Sequence, residues 1–373
     1  MDIRTIGTPS LLLDADRVRR NAARISDIAK RNGVRLRPHI KTHKCVEVAR
    51  IQTAGHNGAL TVSTLAEARA FSRHGFLDIT YAVPIECGKF SEAIDIVRNG
   101  VKLSLITDDA ETSRQLDDAA RKAGVRFDVL LKVDCGYHRC GVEPHTPEAI
   151  EIPRRINDAE NLNFAGILTH AGHSYNTTSK EEILAIARQE RDVMVALAEK
   201  LRSDGVEVPT VSIGSTPSIS CIDHLRGVDE IRPGNYIFFD AFQATLGSCS
   251  FDDCALTVLA AIVHRDRGRK KIIVDAGAIA LSKDRGAVEI DPACGYGHVL
   301  DLEGNGTGMR VESLSQEHGT IHVLNDEVFE SLKVGSRVRI LANHSCLTAA
   351  QHSHFNVLEN GKIVDRWEIH RGW

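Results

Sequence analysis

Two short stretches of the chain carry residue types whose spacing could do chemistry. Val34-Arg35-Leu36-Arg37-Pro38-His39-Ile40 reads as a strand that runs directly into Lys41-Thr42-His43-Lys44, which puts a primary amine at a strand end among other cations. A neighbouring positive charge or partial burial disfavours the ammonium form, so Lys41 is a candidate nucleophile toward an aldehyde. Taken alone, Lys41 and Lys44 also read as surface lysines opening the next helix, because lysine is mostly exposed. Near the other end of the chain, His344-Ser345-Cys346 sets an imidazole and a thiol two residues apart. On a strand or extended turn such residues point to the same face and can converge on a soft or borderline metal, for which zinc is the natural choice. Two ligands alone also fit a buried strand end, since closed structural zinc sites use four. His352 and His354 offer further donors nearby, or are simply exposed strand histidines.

These residues need elements to hold them. The segment Asp14 to Lys30, with Val18, Ala22, Ile25 and Ile28 at helical spacing, predicts a helix. Strand candidates follow at Val34 to Ile40, Ala59 to Val62, Ile79 to Val83, Leu103 to Ile106, Val129 to Val133, Phe164 to Thr169 and Thr210 to Ile213, with helical patterns between most of them. Such βα alternation predicts an α/β fold whose N-terminal part, residues 14–248, is a (β/α)8 TIM-like barrel with its chemistry at the C-terminal ends of the strands. From about Asp253 the strands come close together: Ala255 to His264, Lys271 to Asp275, Arg310 to Ser313, Gly319 to Val323, Arg337 to Leu341, His354 to Leu358 and Ile363 to Ile369. Residues 249–373, with residues 1–13, are therefore expected to form a C-terminal all-β domain. Asn305-Gly306 and Asn360-Gly361 are its expected hairpin turns, because both residue types tolerate positive φ.

Composition narrows the partner. With 46 basic and 50 acidic residues the formal charge is −4, and no Lys/Arg block is long enough to track nucleic acid or anionic lipid, so a small molecule is expected. Nine scattered cysteines, odd in number and without regular spacing, point to reduced thiols rather than a disulfide scaffold. The first residues contain no apolar run typical of a signal peptide, and no later stretch has the length of a membrane span, which leads to the expectation of a cytoplasmic protein.

Thr8-Pro9-Ser10-Leu11-Leu12-Leu13-Asp14 and Arg37-Pro38-His39-Ile40-Lys41-Thr42-His43-Lys44 resemble the opening of the fold-type III pyridoxal-phosphate enzymes of the D-serine dehydratase and D-threonine aldolase family, with alanine racemase as a more distant relative. The likeness continues through Thr61 to Ala68, Asp134-Cys135-Gly136 with Arg139-Cys140-Gly141-Val142, Leu168 to Tyr175, Ser212 to Pro217 and Arg232-Pro233-Gly234-Asn235-Tyr236. It reaches Gln316-Glu317-His318-Gly319 and Asn343-His344-Ser345-Cys346 in the β tail, and so covers nearly the whole chain.

The resemblance implies that Lys41 is the Schiff-base lysine for pyridoxal 5'-phosphate and that Lys44 is structural. It implies a phosphate held by backbone N–H groups and hydroxyls of Gly214, Ser215 and Thr216 and by Gly234, Asn235 and Tyr236, where glycine lets the backbone approach an anion. Those residues alone would read as ordinary turns. Arg139 is expected to donate to the cofactor's phenolic oxygen, or else to pair with Asp134; His170 to stack on the cofactor ring; Tyr175 to reach cofactor or substrate. His173 is read as structural or catalytic. His344 and Cys346 are implied to hold a divalent metal, zinc first, with manganese or magnesium as alternatives. His-x-Cys resembles the dehydratase branch, whereas the aldolases of the family carry His-x-Asp, suited to a harder cation.

What this implies is a lyase that removes water from a β-hydroxy-D-amino acid (D-serine, D-threonine or 3-hydroxy-D-aspartate), giving a 2-oxo acid and ammonia. An aldolase releasing glycine and an aldehyde is the alternative. A racemase would need a second base, typically a tyrosine early in the β domain, and no tyrosine lies between Leu246 and Lys283. A homodimer is implied by the resemblance.

Overall fold

The computed structural model describes residues 2–373. The chain divides into two compact units, one made of residues 24–41, 49–234 and 371–373, the other of residues 1–23, 42–48 and 235–370. Among the described residues no helix is long and apolar enough to cross a membrane.

The first unit holds an eight-stranded parallel sheet in the order Arg35–Leu36, Glu230–Ile231, Val211–Ile213, Leu162–Leu168, Phe127–Lys132, Lys102–Thr107, Asp78–Pro84, Leu60–Val62. Its two edges meet: His39 bridges Thr61, and the Thr61 N–H donates to the Pro38 carbonyl at 3.0 Å. The sheet therefore curls on itself, and the α/β barrel expectation holds. Helices follow the strands and several are started by side-chain caps. Thr64 and Glu67 form a reciprocal capping box on Leu65–Ser72, and Asp109 caps Ala110–Ala123, which ends on left-handed Gly124.

The sequence pattern lacks the strand Glu230–Ile231. It is two residues long and flanked by Asp229 and Arg232, so it shows no apolar run. What buries it is charge pairing inside the barrel. Glu230 accepts from Arg37 Nε at 2.8 Å and from Ser212 Oγ at 2.7 Å, while Arg37 also reaches Asp78 at 2.7 Å. Only such compensation lets these groups leave water. The first strand is shorter than expected, Arg35–Leu36, although the Arg37 and His39 N–H groups go on to bond the Ile231 and Pro233 carbonyls, both at 3.0 Å.

The second unit is a nine-stranded sheet in the order Lys271–Val274, Gly319–His322, Gly306–Leu314, His298–Leu300, Arg337–Leu341, Leu256–Asp266, Ser10–Asp14, His354–Glu359, Lys362–Glu368. Lys271–Val274 also pairs with Leu256–Asp266, which closes the first six into a barrel. Asn360-Gly361 is the expected two-residue turn: φ is 49° and 73°, and Glu359 pairs with Lys362. Asn305-Gly306 is not. Gly306 already lies in a strand opposite Leu300, and the reversal is made by the Asp301 carboxylate, which accepts from the Asn305 N–H at 2.7 Å, with Gly304 at φ 97°.

Candidate active-site residues

In the parallel-sheet unit the strand ends gather cations around one imidazole. Lys41 lies on the turn Ile40–Thr42, two residues past the bridging His39, and its N–H points at His39 Nδ1 at 3.4 Å. His170 follows the strand Leu162–Leu168 with Nδ1 3.4 Å from the Gly214 carbonyl. Burial first, then the charges of Lys41, Arg139, Lys132 and Arg232, push its pKa well below the ordinary histidine value and keep the ring neutral. Tyr175 lies 6.4 Å from the His170 ring. Arg139 does not pair with Asp134. That carboxylate instead accepts three backbone N–H bonds, from Gly136, Tyr137 and His138, at 2.8 to 3.1 Å, leaving the Arg139 guanidinium 5.1 Å above the Tyr137 ring.

Beneath these groups, the buried Glu190 of helix Lys180–Ser203 ties two strand-end loops together. One of its oxygens accepts the N–H groups of Ala171 and Gly214, both at 3.0 Å, and the other accepts Ser218 Oγ at 2.9 Å. The Ser215 N–H also goes to Ser218 Oγ, and Ser215 Oγ meets Ser174 Oγ at 2.8 Å. Gly214 sits at φ 120°, where a Cβ would approach Ile219 at 3.0 Å and the Arg232 N–H at 3.3 Å. Arg232 is fully buried, donates to Ser212 Oγ and the Thr169 carbonyl, and has its pKa lowered to about 10 by burial.

In the antiparallel unit, His344 and Cys346 are brought together by a helix start rather than a strand. His344 is the extended residue before Ser345–Ala349, and Cys346 sits in that helix's first turn. The His344 Nδ1–H donates to Asp284 Oδ2 at 2.6 Å, and the ring also hydrogen-bonds the Cys346 thiol. Burial opposes the charged imidazole, but the Asp284 and Cys346 hydrogen bonds outweigh it and raise the pKa well above the ordinary value. The hydrogen bond with His344 in turn holds the Asp284 carboxyl below its usual range. Cys346 Sγ lies 3.3 Å from Thr42 Oγ1 and 3.5 Å from Asn235 Nδ2. Asn235 spends the same amide group on Asp240 at 2.7 Å and on Ser345 Oγ at 3.1 Å, while its buried Oδ1 has no partner. Tyr236 is buried beside it. Lys44 adopts a left-handed conformation, and its carbonyl accepts the His370 N–H.

These arrangements fit the implied groups. Cations, a neutral imidazole, the Gly214 cradle and the buried, unpartnered ring nitrogens of His173 suit an anionic aromatic cofactor. An imidazole fixed through Nδ1 by a carboxylate, next to a thiol, suits a divalent cation. Among the described residues no three His, Cys, Asp or Glu side chains converge on a metal position.

Known proteins resemble this chain along its length. Residues 13–241 match the family of the alanine racemase N-terminal domain, and residues 255–358 match a serine dehydratase domain family. The chain is 38% identical over 375 residues to D-threo-3-hydroxyaspartate dehydratase of Delftia sp. (strain HT23), covering 99% of this chain and 98% of that one. It is 36% identical to D-serine dehydratase of Dictyostelium discoideum, covering 100% and 98%. The chain is a fold-type III pyridoxal-phosphate enzyme of the D-serine dehydratase and D-threonine aldolase family. The solved structure of the Delftia sp. HT23 dehydratase superposes with a TM-score of 0.96 at 38% identity over the whole of both chains. D-threonine aldolase from Filomicrobium marinum follows at 0.86 and 29%, covering 99% and 96%.

Three residues that contact the candidate site, Glu190, Tyr137 and Asp284, escape a reading of the sequence. Glu190 had a signal: it falls in the buried stripe Ile183, Ala187, Met194, Leu197 of its helix, where a carboxylate has no bland reason to be. Tyr137 had none: that a Cβ on Gly172 would lie 2.2 Å from the Tyr137 ring is seen only once the chain is folded. Asp284, in Ser-Lys-Asp-Arg-Gly, had none.

Proposed function

We propose that this chain is a pyridoxal-phosphate and divalent-metal-dependent lyase that eliminates water from a β-hydroxy-D-amino acid, giving a 2-oxo acid and ammonia, and that it works as a homodimer. The observation that carries the dehydratase reading is the carboxylate-oriented His344 beside Cys346, a thiol where the aldolases of the family are expected to carry an aspartate. The names of the two relatives above, a 3-hydroxyaspartate and a serine dehydratase, support the same substrate class. One solved D-threo-3-hydroxyaspartate dehydratase, a cysteine-to-alanine mutant, is in a metal-free form, which supports a cysteine-held metal in that protein.

When bound, pyridoxal phosphate supplies the electron sink that makes the substrate Cα–H acidic, and a metal on His344 and Cys346, zinc by the softness of the thiolate, supplies Lewis acidity for a departing hydroxyl. The chain's own residues do the rest. Lys41 Nζ would hold the cofactor covalently and would serve as the base that takes the substrate Cα proton. Neutral His170 offers a flat uncharged face to the cofactor ring, and Arg139 keeps the phenolic oxygen ionised. Thr216, with Gly234 and Tyr236, holds the phosphate, while Gly214 and Ser215 contribute shape, since their N–H groups are already engaged by Glu190 and Ser218. In this reading Lys41, Arg139, His170 and Thr216 belong to the parallel-sheet unit, which takes in residues 24–41 and 49–234 rather than the expected 14–248, and the metal motif belongs to the other unit.

The test is release of 2-oxo acid from D-serine, D-threonine and 3-hydroxy-D-aspartate before and after chelation, with glycine assayed in parallel. Oxo acid that chelation abolishes and zinc restores is the expected result. Glycine without oxo acid would replace this reading with the aldolase one.

A further inference from the structure

We infer that Asp284 is the positioning residue of the metal motif: it selects the imidazole tautomer of His344 that presents Nε2, and thereby sets the metal affinity and ligand geometry of the His344/Cys346 pair. The inference rests on the metal reading above and adds a residue from a loop 60 positions away in sequence.

The geometry is a built one. The Asp284 carboxylate divides its two oxygens: Oδ1 accepts the Gly286 N–H at 2.8 Å and Oδ2 accepts His344 Nδ1 at 2.6 Å. An ionised carboxylate only accepts, so Nδ1 keeps its proton, and Nε2 is the nitrogen that gives up its proton and offers a lone pair when a metal binds. Asp284 is itself located by its N–H, which donates to Ser282 Oγ at 3.0 Å, and Ser282 is buried with φ 70°, a conformation uncommon for a residue with a Cβ.

The loop is also fastened to the segment that carries the ligands. Asn343, one residue before His344, donates to the carbonyls of Arg285 at 3.0 Å and Gly295 at 2.9 Å, and Thr348 donates to the Leu281 carbonyl at 2.8 Å. Asp284 therefore sits in a frame locked both before and after the ligand pair. Asp240 does the equivalent for the residue between the ligands, accepting the Ser345 N–H at 2.9 Å and Oγ at 3.1 Å, but it touches neither ligand in these bonds. Asp284 is the carboxylate in direct contact with a ligand ring. Outer carboxylates of this kind change metal affinity by about 10- to 100-fold when removed.

The experiment uses the pyridoxal-phosphate-loaded enzyme with zinc, measured by competition with a chromophoric chelator, and with cobalt(II) as a spectroscopic substitute. D284A is expected to bind zinc about 10- to 100-fold more weakly and to shift the cobalt d–d bands while keeping the thiolate-to-cobalt band of Cys346. D284N, which keeps the volume and an acceptor oxygen but allows the amide to donate instead, is expected to fall between D284A and the parent. Parental zinc affinity and an unshifted cobalt spectrum in both variants, with zinc lost in H344A and C346A, would overturn the positioning role and leave the metal site standing. Unchanged zinc binding in H344A and C346A would overturn the site itself, and the role with it. Thermal unfolding of the metal-free proteins separates these cases from misfolding: a D284A protein that unfolds like D284N but binds zinc more weakly supports the inference.

Discussion

His170 and His344 are the same side chain in opposite surroundings. His170 stands among Lys41, Arg139, Lys132 and Arg232 and is driven toward the neutral form, whereas His344 is gripped by Asp284, lies beside Cys346 with Asp240 near, and is driven toward the charged one. Each environment is the complement of what it is proposed to hold. A cation-rich strand-end cluster receives an anionic cofactor, and an imidazole and thiol backed by carboxylates receive a metal cation. The difference teaches that the charge which matters is local, since the whole chain is close to neutral at −4.

The comparison can be broken from either side. The largest effect is expected from K41A, which removes the link to the cofactor: the visible absorbance band of lysine-bound cofactor should vanish and oxo acid formation should fall by roughly 10³-fold or more. Residual activity near the parental level would mean that the cation cluster is not the cofactor site. Next comes the metal side. C346A should lose stoichiometric metal and about 10²-fold or more in turnover, as expected when a Lewis acid worth several kcal/mol is removed. C346D keeps a ligand but a harder one, and should retain manganese better than zinc and raise the ratio of glycine to oxo acid.

Glu190 sharpens the contrast because it is a carboxylate on the cationic side. If its part is to fasten the loops that carry His170 and Gly214, then E190A leaves the Ala171 and Gly214 N–H groups and the Ser218 hydroxyl without their acceptor. The expected cost is roughly 3 kcal/mol, read as a lower midpoint in urea with the zinc affinity unchanged. A change in zinc affinity with no loss of stability would put Glu190 on the other side of the comparison.

The smallest effect is a pH dependence. With its folded pKa depressed below the ordinary value of 6.5, His170 binds a proton more readily in the unfolded chain. Its contribution to stability is therefore intact above pH 6.5 and is lost as pH falls below it, at less than about 1.4 kcal/mol per pH unit after allowance for solvent. H170N should flatten that limb of the stability profile between pH 6.5 and 5, and an unchanged slope would show that the ring titrates normally.

How much of this was legible beforehand depended on sequence distance. The helix over residues 15–32, the turn at Asn360-Gly361, Lys41 at a strand end and His344 two residues from Cys346 are all local: each is decided within a few positions by periodicity, backbone permissiveness or strand-end placement. The strand Glu230–Ile231 was not legible, because its stability comes from Arg37, 193 residues away, and from Ser212. The turn at Asn305-Gly306 was misread because Asp301, not the Asn-Gly pair, makes the reversal.

By itself, the sequence determined the family, the alternation of strands and helices followed by a β tail, and the two motifs that present an amine and a pair of metal donors. Tertiary structure alone decided their protonation and orientation. Arg139 does not pair with Asp134, whose Oδ1 accepts three backbone N–H groups and whose Oδ2 lies 3.1 Å from His138 Nδ1. Gly214 is held by Glu190 rather than left to a ligand, and His344 is turned by Asp284. The reason is physical: hydrogen bonds and desolvation act through space between groups that the chain brings together only on folding, and a sequence pattern registers only neighbours along the backbone.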